Sequence, residues 1–150
     1  MIRVAPGPAL ALLPLDRHEL AACLDTMLHR AVPDACDPNR SLDLDLACLR
    51  DADIARLNAD YLGCTGPTNI LAWPPNPADM ARLPGGAEPK HASAMIALSV
   101  DSMRREARLY AQDPATYCRR LLAHALAHGL GYDHGPAMDA LCARMLESAN

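Results

Sequence analysis

The sequence predicts an α+β fold, with one small mixed β-sheet packed with about five helices in a single domain over residues 1–150. Three observations carry this reading. A length of 150 residues fits one domain and one core. Strand-like apolar stretches alternate with helical patterns as far as Ser99. Beyond that point only helical patterns follow, so the strands and the late helices are segregated along the chain.

The first helix starts after Pro14. Asp16 stands at its N-cap with Glu19 three residues on, and Leu20, Leu24, Met27 and Leu28 repeat at helical spacing up to Pro33. Leu42, Leu44 and Leu46 alternate with Asp43 and Asp45, the period of a half-buried strand. Asp51 opens a second helix with Ile54 and Leu57 inward, and Gly63 closes it. Asn69 to Trp73 reads as a short strand, and Pro74 to Pro89 as an irregular loop with five prolines and the Gly85-Gly86 pair. Ala94 to Ser99 gives another buried strand. A helix from Ser99 or Asp101 carries the inner stripe Val100, Met103, Ala107 and Tyr110. Asp113-Pro114, a cap followed by a first-turn proline, starts a helix that runs to about Leu130. After Gly135-Pro136 the last helix places Met138, Leu141, Cys142 and Met145 on one face.

Composition narrows the function classes. Apolar residues make up 51% and charged residues 21%, which excludes a disordered chain. Aromatics are 3% with no Phe, so the core is aliphatic, Trp73 reads as a core anchor, and a base-stacking platform is not expected. A net charge of −4 argues against binding nucleic acid by bulk electrostatics. The six cysteines form no CxxC and read as reduced, mostly buried thiols. Three prolines break the apolar run from Ala5 to Pro14, which does not fit a secretory signal. No window reaches the ~20 apolar residues of a membrane span, so the expectation is a cytoplasmic protein.

The histidines carry the chemistry. Three of six lie between His124 and His134, where an even scatter would put about 0.4. His124 and His128 are i and i+4, so both rings share one helical face. Gly131 can adopt the left-handed conformation that ends a helix, letting the chain turn back and bring in His134. Three imidazoles suit one Zn²⁺, with Zn–N bonds of about 2.0–2.1 Å and a fourth position open for water, although another divalent metal would also fit. The same spacing occurs in metzincin proteases, whose general-base Glu follows the first His. Here that position is Ala125, which can carry no proton, so a peptidase of that mechanism is not expected. His18, His29 and His91 have no partner at ligand spacing and read as surface residues.

The stretch HALAHGLGYDH, His124 to His134, resembles the signature HGxLHLxGYDH of the YbeY endoribonucleases, bacterial metal-dependent rRNA maturation factors. LNADYLGCTGPTNILAWP, Leu57 to Pro74, is similar to that family's LNxxYRGxDxPTNVLSFP, and Ile96 to Ser99 with Arg104 to Ala107 match a third segment. The resemblance implies an α+β domain with His124, His128 and His134 on one metal, usually zinc. It also implies single-strand RNA cleavage in 16S rRNA 3′-end maturation and ribosome quality control. The precursor 16S rRNA and the small ribosomal subunit would be partners, and no membrane is involved. Thr68 and Asn69 would line the cleft, although both are also common turn residues. Asp133 either orients a ligand histidine or caps the loop. Arg104, Arg105, Arg108, Arg119 and Arg120 form the densest positive region. They read as a solvated helix face bridged to Glu106, Asp101 or Asp113, or as an RNA-facing patch.

The chain departs from the family pattern at several positions. Leu62 replaces the Arg of the YRG segment, removing a phosphate-contacting charge, and Ala94-Met95 replaces a Gly-Asp pair. No general acid or base is assigned beyond the metal-bound water. Two other functions stay open at this point: a non-catalytic, metal-containing ribosome-assembly factor, and a metal-dependent hydrolase of a different substrate whose pocket the proline-rich loop shapes.

Overall fold

A computed structural model describes residues 1–32, 41–73 and 91–148, the side chains of residues 41–42 and 91–93 excepted. Pro33, Cys36, the expected loop from Pro74 to Pro89 and the His91 side chain lie outside this description. The elements run β1 (Ile2–Val4), a 3-10 turn (Pro8–Leu12), α1 (Arg17–Ala31), β2 (Ser41–Leu49) and α2 (Asp51–Leu62). They continue with β3 (Ile70–Trp73), β4 (His91–Ser99), α3 (Val100–Leu109), α4 (Pro114–Gly129) and α5 (Pro136–Met145). The sheet is mixed, in the order β1-β2-β4-β3, with β1/β2 and β2/β4 parallel and β3/β4 antiparallel. The expected fold class is therefore the observed one.

Strand alternation sets which side faces the larger core. Leu44, Leu46 and Cys48 on β2 stand in register with Ala94, Ile96 and Leu98 on β4, and all six are buried in one apolar cluster. Leu20, Leu24, Met27 and Leu28 of α1 and Leu122 and Leu126 of α4 join them, as the helical spacing predicts. Burying such side chains is worth roughly 1.5–3 kcal/mol each. Across the sheet, Ile54 of α2 packs on Leu71 and Ala97, with Leu49, Leu57 and Trp73 at the margin. Trp73 thus sits in a small second cluster, with the Tyr61 ring edge-on to it at 5.3 Å.

Helix ends follow the caps read from the sequence. Asp16 accepts from the Glu19 amide at 2.8 Å while the Glu19 carboxylate accepts from the Asp16 amide, forming a capping box. Ser99 caps α3, Asp113 caps α4, and Gly63 ends α2 in the left-handed conformation. Tyr110 departs from expectation: it is 57% exposed rather than inward. The reason is that α3 stops at Leu109 and Ala111 turns left-handed at φ 50, so the amides of Ala111 and Gln112 donate back to Arg108 and Ala107. The helical stripe ends one residue before Tyr110. β4 also starts earlier than Ala94, because pairing with β2 runs unbroken from Ser41↔His91 to Leu49↔Ser99.

Five cysteines are free among the described residues. Cys48 and Cys118 are buried, and burial pushes their thiols up to about 11 and about 12, so they pack as neutral side chains. Cys64 is exposed.

An ionic clasp joins α2 to α3. Asp51 accepts from Ser99 Oγ at 2.6 Å, Ser102 Oγ at 2.8 Å and Arg105 Nη1 at 2.7 Å. Asp101 accepts from Arg50 Nε at 3.0 Å and from the Asp51 amide at 3.0 Å. Burial pushes the Asp51 carboxyl up, but the hydrogen bonds from Arg105, Ser99 and Ser102 outweigh it and hold the group at about 2. A folded value below the unfolded one near 3.8 stabilises the fold above pH ~4, and the benefit is lost as pH falls toward 2. Asp51→Ala is therefore expected to cost about 2 kcal/mol at pH 7 and almost nothing at pH 2, read as the difference in urea unfolding between variant and parent.

Candidate metal centre

The site is built by the end of α4. This helix lies against β3 and β4, so Ala125 faces inward and is buried, while His124 and His128, one turn apart, reach a cleft beside the β3 edge strand. Leu130 caps the helix and Gly131 follows at φ 92. The Gly131 amide donates to His128 O at 2.9 Å and the Tyr132 amide to Ala127 O at 3.1 Å. This paired turn reverses the chain and returns His134 to the other two rings.

Ring centroids stand 4.7 Å apart for His124 and His128, 4.7 Å for His128 and His134, and 5.2 Å for His124 and His134. One donor nitrogen from each ring lies within 4.8 Å of the others, and no further metal-capable group of three or more such side chains occurs among the described residues. His124 Nε2 and His128 Nε2 are 3.2 Å apart. Two nitrogens bound tetrahedrally at ~2.0–2.1 Å would stand about 3.3 Å apart, so the spacing fits one small divalent ion.

Electrostatics agree with the geometry. Burial, then the charges of His128 and His134, lower the pKa of His124 and favour the neutral ring that a metal needs. His128 Nδ1 faces Tyr132 O at 3.0 Å. A carbonyl only accepts, so Nδ1 carries the proton and Nε2 keeps its lone pair toward the centre. Asp133 is exposed, and the orienting contact to His128 comes from the neighbouring Tyr132 backbone instead.

A cleft of about 460 Å³ opens beside the rings, lined by Thr68, Asn69, Ile70, Ala72, Arg120, Leu121, His124, Ala125 and His128. It brings Thr68 and Asn69 to the histidines. Of the five candidate arginines only Arg120 lines it, one turn before His124, where Arg120 Nη1 donates to the neutral Gln112 Oε1 at 3.0 Å. Arg105 is committed to Asp51, Arg119 faces Cys23 on α1, and Arg104 and Arg108 are exposed on α3. Asp101, Glu106 and Asp113 make their hydrogen bonds to Arg50, Tyr117 and Thr116, while the charges of Asp101 and Glu106 still act on Arg105 and that of Arg119 on Asp113. Leu62 is 59% exposed at the end of α2, and Met95 lines a separate hollow with Arg3 and Asp45. Glu106 and Tyr117, given no site role by sequence reasoning, meet Asn69 at the cleft wall.

Residues 13–149 match the family model described as endoribonuclease YbeY. The chain belongs to the YbeY family. This YbeY chain is 35% identical over 148 residues to the endoribonuclease YbeY of Oleidesulfovibrio alaskensis, a match covering 91% of this chain and 84% of the relative. It is 45% identical over 108 residues to that of Nitratidesulfovibrio vulgaris, covering 65% of this chain and 66% of the relative. The solution structure of a Thermotoga maritima protein shares the fold, with a TM-score of 0.58 at 18% identity, covering 97% of this chain and 86% of that one.

The turn at Gly131 yields a direct test. A Cβ there meets nothing within 4 Å, so the cost of Gly131→Ala is backbone strain alone. That strain is roughly 1–2 kcal/mol, which lowers Tm by about 3–6 °C in thermal unfolding. Because His134 hangs on this turn, metal affinity is expected to fall about tenfold in the same variant.

Proposed function

We propose that residues 1–150 act as one domain, a zinc-dependent endoribonuclease that cuts single-stranded RNA in the cytoplasm. Its role would be 16S rRNA 3′-end maturation and ribosome quality control, acting on the precursor 16S rRNA at the small subunit. The convergence of three imidazole nitrogens within 4.8 Å, two of them from rings that line the cleft, carries the reading, and membership of a family described as endoribonuclease supports it. His124, His128 and His134 would hold the ion. A bound divalent cation supplies Lewis acidity, polarising a phosphoryl oxygen and lowering the pKa of water.

The chain's own residues do the rest. The planar guanidinium of Arg120 meets a phosphate oxygen pair, a role matched to its fork of donors. Thr68 and Asn69, in the lining of the same cleft, offer a hydroxyl and a carboxamide to the ribose-phosphate chain. With 3% aromatics, recognition follows the shape of the strand rather than base stacking.

One observation favours a second reading, a non-catalytic metal-containing assembly factor: the family's Arg position is the exposed Leu62, outside the cleft lining. Metal analysis of the purified chain, followed by cleavage of a single-stranded RNA, separates the two. About one ion per chain with histidine-dependent cleavage supports the nuclease. Metal with ribosome binding and intact RNA supports the assembly factor, and absence of bound metal overturns both. Cleavage of some other, small substrate would identify a different hydrolase.

A further inference from the structure

We propose that Glu106 is a positioning residue of the cleft, holding the Asn69 carboxamide so that its oxygen is the acceptor offered to an O–H donor on the substrate. The carboxylate of Glu106 takes the amide of Asn69, Nδ2 to Oε2, at 3.1 Å. A carboxylate only accepts, so the amide nitrogen must face it and the amide oxygen must point elsewhere. The Asn69 backbone is fixed as well, because its carbonyl accepts from the Ser99 amide at 2.8 Å. Asn69 lines the cleft that His124 and His128 reach, so a locked carboxamide there presents one defined acceptor to whatever the cleft binds.

Glu106 is itself held. The Tyr117 hydroxyl donates to the same Oε2 at 2.5 Å, and the Tyr117 ring is buried. Burial and this hydrogen bond raise the Tyr117 pKa, which keeps the phenol a donor. Three arginines share α3 with Glu106, yet its carboxylate is spent on two neutral donors while the adjacent Arg105 goes to Asp51. A surface acid serving solvation alone has no reason to sit this way.

The substrate half of this inference rests on the ribonuclease reading; the Glu106–Asn69 contact does not. Two measurements on the full chain test it. In side-chain amide NMR, the Asn69 NH₂ proton that faces Glu106 is shifted downfield by the charged hydrogen bond, moves back toward the free-amide position in Glu106→Ala, and stays largely shifted in Glu106→Gln, whose amide oxygen still accepts. On a single-stranded RNA oligonucleotide, Glu106→Ala and Asn69→Ala each lower kcat roughly tenfold, and the double variant falls no further. Glu106→Gln recovers most of the rate. Met27→Ala, a core change in α1, loses stability without this loss of kcat. An Asn69 amide signal indifferent to Glu106→Ala, or losses that multiply in the double variant, would overturn the proposal. Loss of that downfield shift in Glu106→Ala, in a protein whose parent cuts no RNA, leaves the contact standing and sinks the ribonuclease reading instead.

Discussion

Replacing His124 and His128 together by alanine is expected to abolish binding of a divalent ion and to lower RNA cleavage at least about a thousandfold. Losing a residue that merely orients a ligand costs 10–100-fold, and two of three ligands must cost more. The fold survives the change. Both side chains are only partly buried on an otherwise regular helix, and alanine is the best helix former. Metal-free parent and variant should therefore melt within a few degrees of each other, while metal content falls from about one ion per chain to none. Cleavage that persists in the metal-free variant would place the chemistry elsewhere.

Arg120→Ala is expected to lower kcat/KM for RNA by roughly 10–100-fold, the worth of a charge-assisted hydrogen bond made in a cleft. Arg120→Lys should recover part of this, since it keeps the charge and loses the fork. Arg56, paired with Asp53 on the exposed side of α2, serves as the comparison, and Arg56→Ala is expected to stay within about threefold. Steady-state kinetics at two salt concentrations decide the matter: equal losses for the two arginines would remove Arg120 from the cleft's chemistry.

The features legible in the sequence are those whose partners lie within one or two helical turns. The Asp16–Glu19 box, the His124–His128 pair and the turn at Gly131 are all local, and each leaves a trace in residue spacing. What stayed hidden is what folding joins across long separations. Asp51 meets Arg105 and Asp101 meets Arg50 about fifty residues apart, and Asn69 meets Glu106 at 37. No periodicity encodes such pairs. For the same reason five arginines close in sequence looked like one region, although neighbouring helix positions point in different directions. Only their placement on α3 and α4 divides Arg105, clasped to Asp51, from Arg120, beside His124.

The turn that ends α4 has a consequence for how the protein matures. Bringing His134 to His124 closes a loop of about ten residues, an event on the scale of 10–100 ns. The sheet, by contrast, waits for β2 to find β4 fifty residues away, from Ser41↔His91 onward, and such long closures are the slow part of folding. The three rings can thus gather while the sheet is still unpaired, and a nascent chain would be able to take up a divalent ion before its core exists. An ion that binds unfolded and folded chains alike lends the native state less stability than its affinity implies.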